Sequence, residues 1–284
     1  MKNIRYELIK MNDGAYVHTA RFEPTSEPIG VIQAVHGFSE HIELYREMAS
    51  FFVENNYIFV IHDLRGFGKM PNKSKEERKS AQGIVTDYNL LLDDVSEIRW
   101  KINDWYPNLP VILYGYSLGG NIATNYLLKR NPNKHEKFVL VSPWLRLHEP
   151  LTAFEMTKVR LWGMNFSGKT LPTRTDPNKI SRSCQATKFE DPYYHSRLSL
   201  RLKTQTTDAG EYAIRNAHKI AMPTLLLCAG QDKIVSVRAI HEFNEKSGDN
   251  VIFHEYPDAY HALHTDLVKD DFMARVLKFC QTGL

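Results

Sequence analysis

The stretch that decides the fold is residues 111–120, which read VILYGYSLGG. A continuous apolar run of this kind suits a strand that is buried on both faces, and residues 121–129 continue with apolar side chains at helical spacing. Ser117 is therefore predicted on a tight turn between a buried strand and a helix. Gly115 and Gly119 let the strand and the helix approach closely. A hydroxyl at this turn is pushed out of the sheet edge, beside the first N–H groups of the helix.

A serine hydroxyl is a poor nucleophile at neutral pH and needs a general base that is oriented by a carboxylate. Asp232 follows the predicted strand at 225–228, and His261 follows the predicted strand Val251–Tyr256. Both residues fall just past the carboxyl end of a strand, at the edge where Ser117 is expected. Taken alone, Asp232 is better explained as a loop or helix-cap residue, and the alternative for His261 is a residue that starts a helix. The three together, in the order serine, acid, histidine, predict a catalytic triad.

Acyl transfer also needs hydrogen-bond donors for the oxyanion of the tetrahedral intermediate. The backbone N–H of Leu118, directly after the predicted nucleophile, is one candidate. The second is the N–H of Phe38, which follows His36-Gly37 after a predicted strand at 31–35. The alternative is that His36-Gly37 forms only a turn.

The remaining apolar segments alternate between strands and helices. A hairpin is predicted at Asn12-Asp13-Gly14, between the strands Ile4–Lys10 and Tyr16–Phe22. Further strands are predicted at 31–35, 57–61, 138–141, 224–228 and 251–256, and further helices at 43–55, 87–105 and 262–280, with a polar loop at 69–83. This order predicts an α/β fold with a mainly parallel sheet, helices on both faces and antiparallel hairpin strands at one edge.

Residues 144–220 interrupt this alternation of strands and helices, because the segment is far longer than a crossover connection between two parallel strands requires. Their apolar residues and short polar turns predict a mostly helical cap over the carboxyl edge of the sheet, where ligands bind in such folds. The core would then comprise residues 1–143 and 221–284. We expect substrate contacts from Tyr116, Trp144 and Leu145.

Composition excludes some classes of protein. The 284 residues carry a net charge of only +3, which argues against a nucleic-acid groove, and 43% of them are apolar, which is enough for a sizeable core. Three widely separated cysteines, Cys184, Cys228 and Cys280, are typical of reduced thiols in the cytoplasm. Neither a signal peptide nor a membrane span is predicted, and peripheral contact with lipid stays open.

His261 and His264 are spaced so that they could ligate zinc from one helix face. No further histidine, glutamate or cysteine pattern of a zinc site lies nearby, so we interpret His264 as a packing or hydrogen-bonding residue. No metal or other cofactor is expected.

Several short motifs combine across nearly the whole chain. They are His36-Gly37-Phe38-Ser39-Glu40-His41 with Tyr45, Asp63-Leu64-Arg65-Gly66-Phe67-Gly68, the stretch around Ser117, Asp232, Tyr260-His261-x-x-His264, and EDPYYHSRLS at 190–199. This combination resembles the monoacylglycerol lipase and lysophospholipase branch of the α/β-hydrolases. The resemblance implies a serine carboxylesterase whose helical cap guards an acyl pocket, with Ser117, Asp232 and His261 matching the triad, and with Phe38 and Leu118 matching the oxyanion hole. Phe67 departs from the family, which often has histidine there, and the loop at 69–82 is unusually polar.

The leading hypothesis is hydrolysis of a carboxylic ester of the monoacylglycerol or lysophospholipid type, through an acyl-enzyme and without a cofactor. Apolar residues in the insertion motivate the lipid-like substrate, although they suit the cap's own core equally well. A short-chain or aromatic carboxylesterase, a thioesterase and an aminopeptidase of the same superfamily are alternatives. A binding protein for small molecules on the same scaffold is a further alternative, from outside the enzymes.

Overall fold

The computed structural model describes residues 3–71, 73–130, 135–166, 168–173, 176–183 and 191–282. Among these residues, eight strands form one sheet in the order β1-β2-β4-β3-β5-β6-β9-β10, and β7 pairs with β8 in a separate ribbon. The strands are β1 (Ile4–Lys10), β2 (Tyr16–Phe22), β3 (Gly30–Val35), β4 (Tyr57–His62), β5 (Val111–Tyr116), β6 (Lys137–Val141), β7 (Thr170–Pro172), β8 (Arg197–Ser199), β9 (Thr224–Ala229) and β10 (Val251–Tyr256). The helices are α1 (Arg46–Glu54), α2 (Lys75–Ala81), α3 (Tyr88–Trp105), α4 (Leu118–Lys129), α5 (Ala153–Asn165), α6 (Leu200–Arg215), α7 (Val237–Glu245) and α8 (Lys269–Thr282).

The sheet is mainly parallel. Strands β1 and β2 form the predicted hairpin and β2 runs antiparallel to β4, whereas all later neighbours are parallel. Parallel strands bring their carboxyl ends to one edge, so the loops after β3, β5, β9 and β10 meet there. The predicted fold class is confirmed.

Strand β5 lies in the middle of the sheet, and all six of its residues are buried. Leu113 packs into the cluster formed with α3, α4 and α7, while Ile112 and Tyr114 pack into the cluster formed with α1 and α8. Successive side chains of a strand point to opposite faces, so a run that is apolar throughout requires helices on both sides. The predicted helices on both faces are therefore present.

The polar segment that was expected to be a loop contains the helix α2 (Lys75–Ala81), so that prediction was wrong there. Ser74 accepts a hydrogen bond from the Glu77 N–H, and the Glu77 carboxylate accepts one from the Ser74 N–H. This reciprocal capping starts a helix without help from an apolar face, and none of the residues of α2 is buried. The Ser-x-x-Glu spacing indicates this helix start, whereas a search for apolar residues at helical spacing does not detect the helix.

The last helix starts at Lys269, whereas the sequence predicted a start at residue 262. Residues 262–268 form turns instead. The Asp266 carboxylate accepts hydrogen bonds from the N–H groups of Tyr260 and Leu267, at 3.3 and 2.7 Å, and from the Arg182 side chain. These bonds hold the segment in a turn, and Asp270 and Asp271 then favour the helix start.

The insertion is less helical than predicted, because β7 and β8 form a ribbon between α5 and α6. Helix α6 packs on α4, and its residues Leu202, Ala213 and Ile214 belong to the same buried cluster as Ile122 of α4. The boundaries of the cap at 144–220 stay a prediction. Cys184 and Glu190 lie outside the described residues. In the part of the chain that the structure describes, no helix is both long and apolar enough for a bilayer crossing.

Candidate active site

Ser117 occupies the turn between β5 and α4 with φ 53° and ψ −116°, a backbone conformation that costs a non-glycine residue energy. Its N–H donates to the Val141 carbonyl at 3.0 Å, and its carbonyl accepts from the Trp144 N–H at 2.9 Å. A Cβ on Gly119 would lie 2.1 Å from the Val35 carbonyl oxygen. Only glycine at this position lets the helix approach β3, and the close approach fixes the turn.

The three residues predicted as a triad lie in one chain of hydrogen bonds. His261 Nε2 lies 2.8 Å from Ser117 Oγ, and His261 Nδ1 lies 2.6 Å from Asp232 Oδ2. Each of the three residues is only 3–4% exposed. The imidazole is thus positioned to accept a proton on one nitrogen while the other nitrogen donates to the carboxylate.

Asp232 is held by its own loop as well as by the histidine. Its Oδ1 accepts hydrogen bonds from the N–H groups of Ile234 and Val235, at 2.8 and 2.9 Å. A carboxylate that accepts three hydrogen bonds is fixed in orientation and well satisfied although it is buried. It can therefore orient His261 without a water molecule or a cation.

Phe38 and Leu118, the predicted oxyanion donors, follow β3 and Ser117 respectively. Leu118 is the first residue of α4, and the first N–H groups of a helix have no partner within the helix. Within the described residues, none of the hydrogen bonds outside helices and strands uses the N–H of Phe38. The ring of Phe38 packs edge-on against Phe67 and Trp144, at centroid distances of 5.5 and 6.4 Å, which fixes the loop over the site.

His36 anchors the loop that carries Phe38. Its Nδ1 lies 2.8 Å from the Gly37 carbonyl, and its Nε2 accepts from the Leu64 N–H at 2.9 Å. This pattern requires the neutral imidazole that is protonated at Nδ1. Burial lowers the pKa of His36 below its ordinary value, which favours the same neutral form.

Glu40 is a functional candidate to which sequence reasoning assigned no role. Its Oε2 accepts from the Gly37 N–H at 2.9 Å and from the Tyr45 hydroxyl at 2.8 Å. Its Oε1 lies 3.7 Å from His264 Nε2, and the ring of His264 stacks on that of Tyr45. Glu40 thereby ties the loop before Phe38 to the loop after His261. The motif at residues 36–41 contains this glutamate, but its contact with His264 joins residues that are distant in sequence.

His264 therefore packs against Tyr45 and lies near the carboxylate of Glu40. Its ring also meets Tyr116 edge-on at 4.8 Å, and Tyr116 lies 5.1 Å from the ring of His261. Across the described residues, no three His, Cys, Asp or Glu side chains are grouped so that they could hold a metal ion.

A cavity of about 260 Å³ opens beside Ser117 and His261. Tyr116 and Trp144, two of the three predicted substrate contacts, line it. Leu145 does not line it and is fully buried in a core cluster. The other apolar lining residues are Phe38, Leu44, Leu147, Pro172, Ile180, Leu198 and Ile234. A mostly apolar cavity next to a reactive hydroxyl suits a ligand that carries a short or medium hydrocarbon chain.

The segment that carries the cavity-lining residues Tyr194 and Leu198 is tied to the core through His195. Its ring stacks on Phe67 at 5.1 Å, its Nε2 lies 3.0 Å from the Gly66 carbonyl, and its own carbonyl accepts a hydrogen bond from the Ser39 hydroxyl. Burial lowers the pKa of His195 to about 4, so the imidazole stays neutral at pH 7. The ring of Phe67 thus serves as the stacking surface for His195, which belongs to the insertion at 144–220.

The whole chain is similar in sequence to known hydrolases. A family model described as Hydrolase_4: Serine aminopeptidase, S33 matches residues 26–268. Human monoglyceride lipase is 29% identical over 265 residues, which cover 90% of this chain and 82% of that protein. A longer protein of Dictyostelium discoideum, described as an uncharacterized abhydrolase domain-containing protein, is 24% identical, and the chain spans only 27% of its length.

A solved structure shares the fold. A soluble variant of monoglyceride lipase from Saccharomyces cerevisiae, in complex with a substrate analog, superposes with a TM-score of 0.83 at 19% identity, over 98% of this chain and 94% of that chain. The family match extends over most of the sequence and includes Ser117 and His261. The chain belongs to the Hydrolase_4 family of α/β-hydrolases and is a serine hydrolase of that family.

Proposed function

We propose that the protein hydrolyses carboxylic esters through an acyl-enzyme, with Ser117 as nucleophile, His261 as general base and acid, and Asp232 as the carboxylate that orients the imidazole. The observation that carries the proposal is the unbroken hydrogen-bond chain from Ser117 Oγ to Asp232, which ends at an apolar cavity. The chain links a buried carboxylate to a hydroxyl that lines the cavity, which is the arrangement that activates a serine nucleophile.

The first half-reaction forms the acyl-enzyme. His261 Nε2 takes the Ser117 proton as Oγ attacks the ester carbonyl carbon, and the carbonyl oxygen becomes an oxyanion. The N–H groups of Phe38 and Leu118 donate to this oxyanion. When the intermediate collapses, the bond from the carbonyl carbon to the alcohol oxygen breaks, and the imidazolium gives its proton to the leaving alcohol.

The second half-reaction uses water. His261 takes a proton from the water as it attacks the acyl carbon, and the oxyanion forms again at the same donors. Collapse of the second intermediate releases the carboxylic acid and returns the proton to Ser117 Oγ. Asp232 stabilises the imidazolium in both halves without itself taking the proton.

The proposed substrates are monoacylglycerol-like or lysophospholipid-like esters. Support comes from the apolar lining of the cavity and from the names of the human and yeast relatives. We further propose that residues 144–220 act as a cap that guards this cavity and that the cap contacts lipid transiently. Its helix α5 carries the exposed apolar side chains Phe154, Leu161 and Trp162.

The test joins covalent labelling to a chain-length series. A fluorophosphonate probe should label the wild-type protein and fail to label Ser117→Ala. Esters of p-nitrophenol should be hydrolysed faster as octanoate than as acetate, because the longer chain fills the cavity. Ile234→Trp, which fills part of the cavity, should reverse that order, and Leu8→Trp on the exposed face of β1 should not.

Other outcomes of the same experiments identify the alternatives. An unlabelled wild-type protein would favour the small-molecule binding protein. Labelling with equal or better turnover of acetate would favour the short-chain esterase. Faster turnover of a thioester or of an aminoacyl amide than of any ester would favour the thioesterase or the aminopeptidase, and the description of the matching family makes the aminoacyl arm essential.

A further inference from the structure

The loop that carries His261 is hydrogen-bonded to a short segment of the insertion. This segment, the strap, comprises residues 180–183. The N–H of Ala262, directly after His261, donates to the carbonyl of Ile180 in the strap at 2.8 Å. Two serine hydroxyls of the strap donate to the carbonyl of Thr265. The backbone that follows His261 is therefore fixed by a part of the chain that is distant in sequence.

A charged pair fixes the backbone on the other side of His261. The carboxylate of Asp266 accepts a hydrogen bond from the N–H of Tyr260, directly before His261, at 3.3 Å. Arg182 of the strap donates to the same carboxylate through its backbone N–H and Nε, both at 2.9 Å, and through Nη2 at 2.6 Å. The side chain of Asp266 is fully buried, whereas that of Arg182 is partly exposed. An arginine that donates through several N–H groups to one carboxylate fixes the orientation of both partners.

The carboxylate of Asp266 is ionised at neutral pH. Burial acts to raise the pKa of Asp266, but the hydrogen bonds from Arg182 and from two backbone N–H groups of its own loop outweigh this effect and leave the pKa below its ordinary value. Among the described residues, Arg182 is the one cation that forms an ion pair with Asp266. Removal of the guanidinium would thus leave a buried carboxylate without a counter-charge, which is strongly unfavourable. We expect Tyr260, and His261 with it, to shift as the carboxylate finds new partners.

We propose that Arg182 is a positioning residue for catalysis: through Asp266 it fixes the backbone of His261, so that the imidazole reaches both Ser117 and Asp232. This inference rests on the proposed esterase function and gives the insertion a part in turnover itself. A displacement of about 1 Å in a catalytic group can cost about 10²-fold in rate. The strap therefore acts together with the edge of the sheet, although it belongs to the insertion in sequence.

The first test separates positioning of His261 from shaping of the cavity. Ile180 lines the cavity, so a strap that only formed a wall would affect long acyl chains alone. Arg182→Ala should instead lower kcat for p-nitrophenyl acetate and for p-nitrophenyl octanoate by the same factor, about ten- to 100-fold, and leave KM nearly unchanged. Acylation and deacylation should slow together, because His261 serves both half-reactions. The kcat values are taken per site that the fluorophosphonate probe labels at completion.

The second test is chemical rescue of the missing side chain. Guanidinium ion at about 20 mM should raise kcat of Arg182→Ala at least about three-fold, because it can donate to the carboxylate that the substitution leaves unpaired. Sodium chloride at the same concentration should not. Asp266→Asn should lower kcat similarly and should not respond to guanidinium, because the charge that binds the ion is gone. Arg182→Lys, which keeps the charge without the planar fork, should have an intermediate kcat for both esters.

Arg160→Ala is the matched control. Arg160 on α5 forms an ion pair with Asp208 on α6, so it is an arginine that is paired within the insertion and outside the strap. This variant should keep the wild-type kcat for both esters and should not respond to guanidinium. The circular dichroism spectrum of each variant checks that the fold is retained, and Arg182→Lys decides by the same kcat comparison if Arg182→Ala does not fold.

Three results would overturn the inference. The first is a wild-type kcat of Arg182→Ala for p-nitrophenyl acetate, which would show that His261 needs no support from the strap. The second is a loss confined to the octanoate or expressed in KM, which would assign Arg182 to the wall of the cavity. The third is a loss that guanidinium does not restore or that Arg160→Ala shares, which would indicate a general loosening of the insertion. A wild-type protein that is neither labelled nor active on any ester would instead remove the proposed function and the inference with it.

Discussion

The edge of the sheet around Ser117 buries its polar side chains, whereas helix α5 of the insertion at 144–220 exposes several large apolar side chains to solvent. At the edge, Ser117, Asp232 and His261 are 3–4% exposed and hydrogen-bonded to one another. In the cap, Trp162 and Phe166 are 53% and 60% exposed. The contacts at the edge thus fix its side chains, whereas the insertion leaves apolar surface exposed. We expect changes at the edge to affect chemical turnover and folding, and changes in the cap to affect which substrate is used.

The largest effect is expected at the nucleophile. Ser117→Ala should lower kcat for p-nitrophenyl octanoate by at least about 10⁴-fold, because the nucleophile and its base act as one unit. Ser142→Ala is the matched control, since Ser142 is a fully buried serine at the end of the neighbouring strand β6 and should keep near-wild-type kcat. Substantial turnover by Ser117→Ala, with the contaminating activity excluded by titration, would break the assignment of the edge as the reaction centre.

A second contrast uses glycines from the two regions. Gly119→Ala places a methyl group 2.1 Å from the Val35 carbonyl, whereas a Cβ on Gly168 of the insertion meets nothing within 4 Å. Gly119→Ala should lower the free energy of unfolding by about 3 kcal/mol or more, because backbone on both sides must move. Gly168→Ala should change it by no more than about 0.5 kcal/mol. Urea unfolding of both variants measures the difference, and equal stabilities would contradict the rigid edge.

The grouping of Ser117, Asp232 and His261 could be predicted from the sequence, because a parallel sheet brings the carboxyl ends of its strands to one edge. Ser117, Asp232 and His261 each follow an apolar strand, so their convergence needed no knowledge of side-chain contacts. Helix α2 was missed because none of its residues is buried, and the contact of Glu40 with His264 was missed because the two residues lie on loops that are far apart in the sequence. The structure of residues 144–220 could not be predicted in detail, because their apolar residues do not recur at the regular spacing that identifies strands and helices.

The third contrast concerns pH and the interior of the sheet. His62, at the end of β4, has no hydrogen-bond partner on either ring nitrogen within the described residues, and burial lowers its pKa from 6.5 to about 3. Above about pH 6.5 the imidazole is neutral in the folded and in the unfolded protein, so protonation of His62 does not change the free energy of unfolding there. Between pH 6.5 and 3 only the unfolded state binds the proton, so stability is lost as the pH falls.

The expected loss from His62 is about 2 to 3 kcal/mol by pH 4.5. His62→Leu should flatten the dependence of the unfolding free energy on pH over this interval, whatever its effect at pH 7. His148→Leu, at an exposed position of the insertion, should leave the dependence unchanged. Parallel curves for the wild type and His62→Leu would show that acid sensitivity arises elsewhere in the molecule.

The smallest effect is expected on the exposed face of the cap. Replacing Trp162 and Phe166 by alanine removes apolar surface that already faces water, so the free energy of unfolding should change by no more than about 1 kcal/mol, including the contact of Lys169 with both rings. Turnover of a monomeric octanoyl ester should stay the same, while turnover of an ester presented in vesicles should fall about three- to ten-fold, because aromatic rings in the interface hold the enzyme at the lipid.

Leu8→Ala provides the control, since Leu8 is a comparably exposed apolar residue on β1, at the far edge of the sheet. Equal losses on vesicles for Leu8→Ala and for the cap variant would mean that any exposed apolar side chain serves, and the cap would lose its distinct role. Equal losses on monomeric and vesicle-bound ester would instead place Trp162 and Phe166 in the support of the cavity. A loss of turnover that is confined to the vesicle-bound ester is the outcome expected if the sheet edge carries out the reaction and the proposed cap determines which substrate is used.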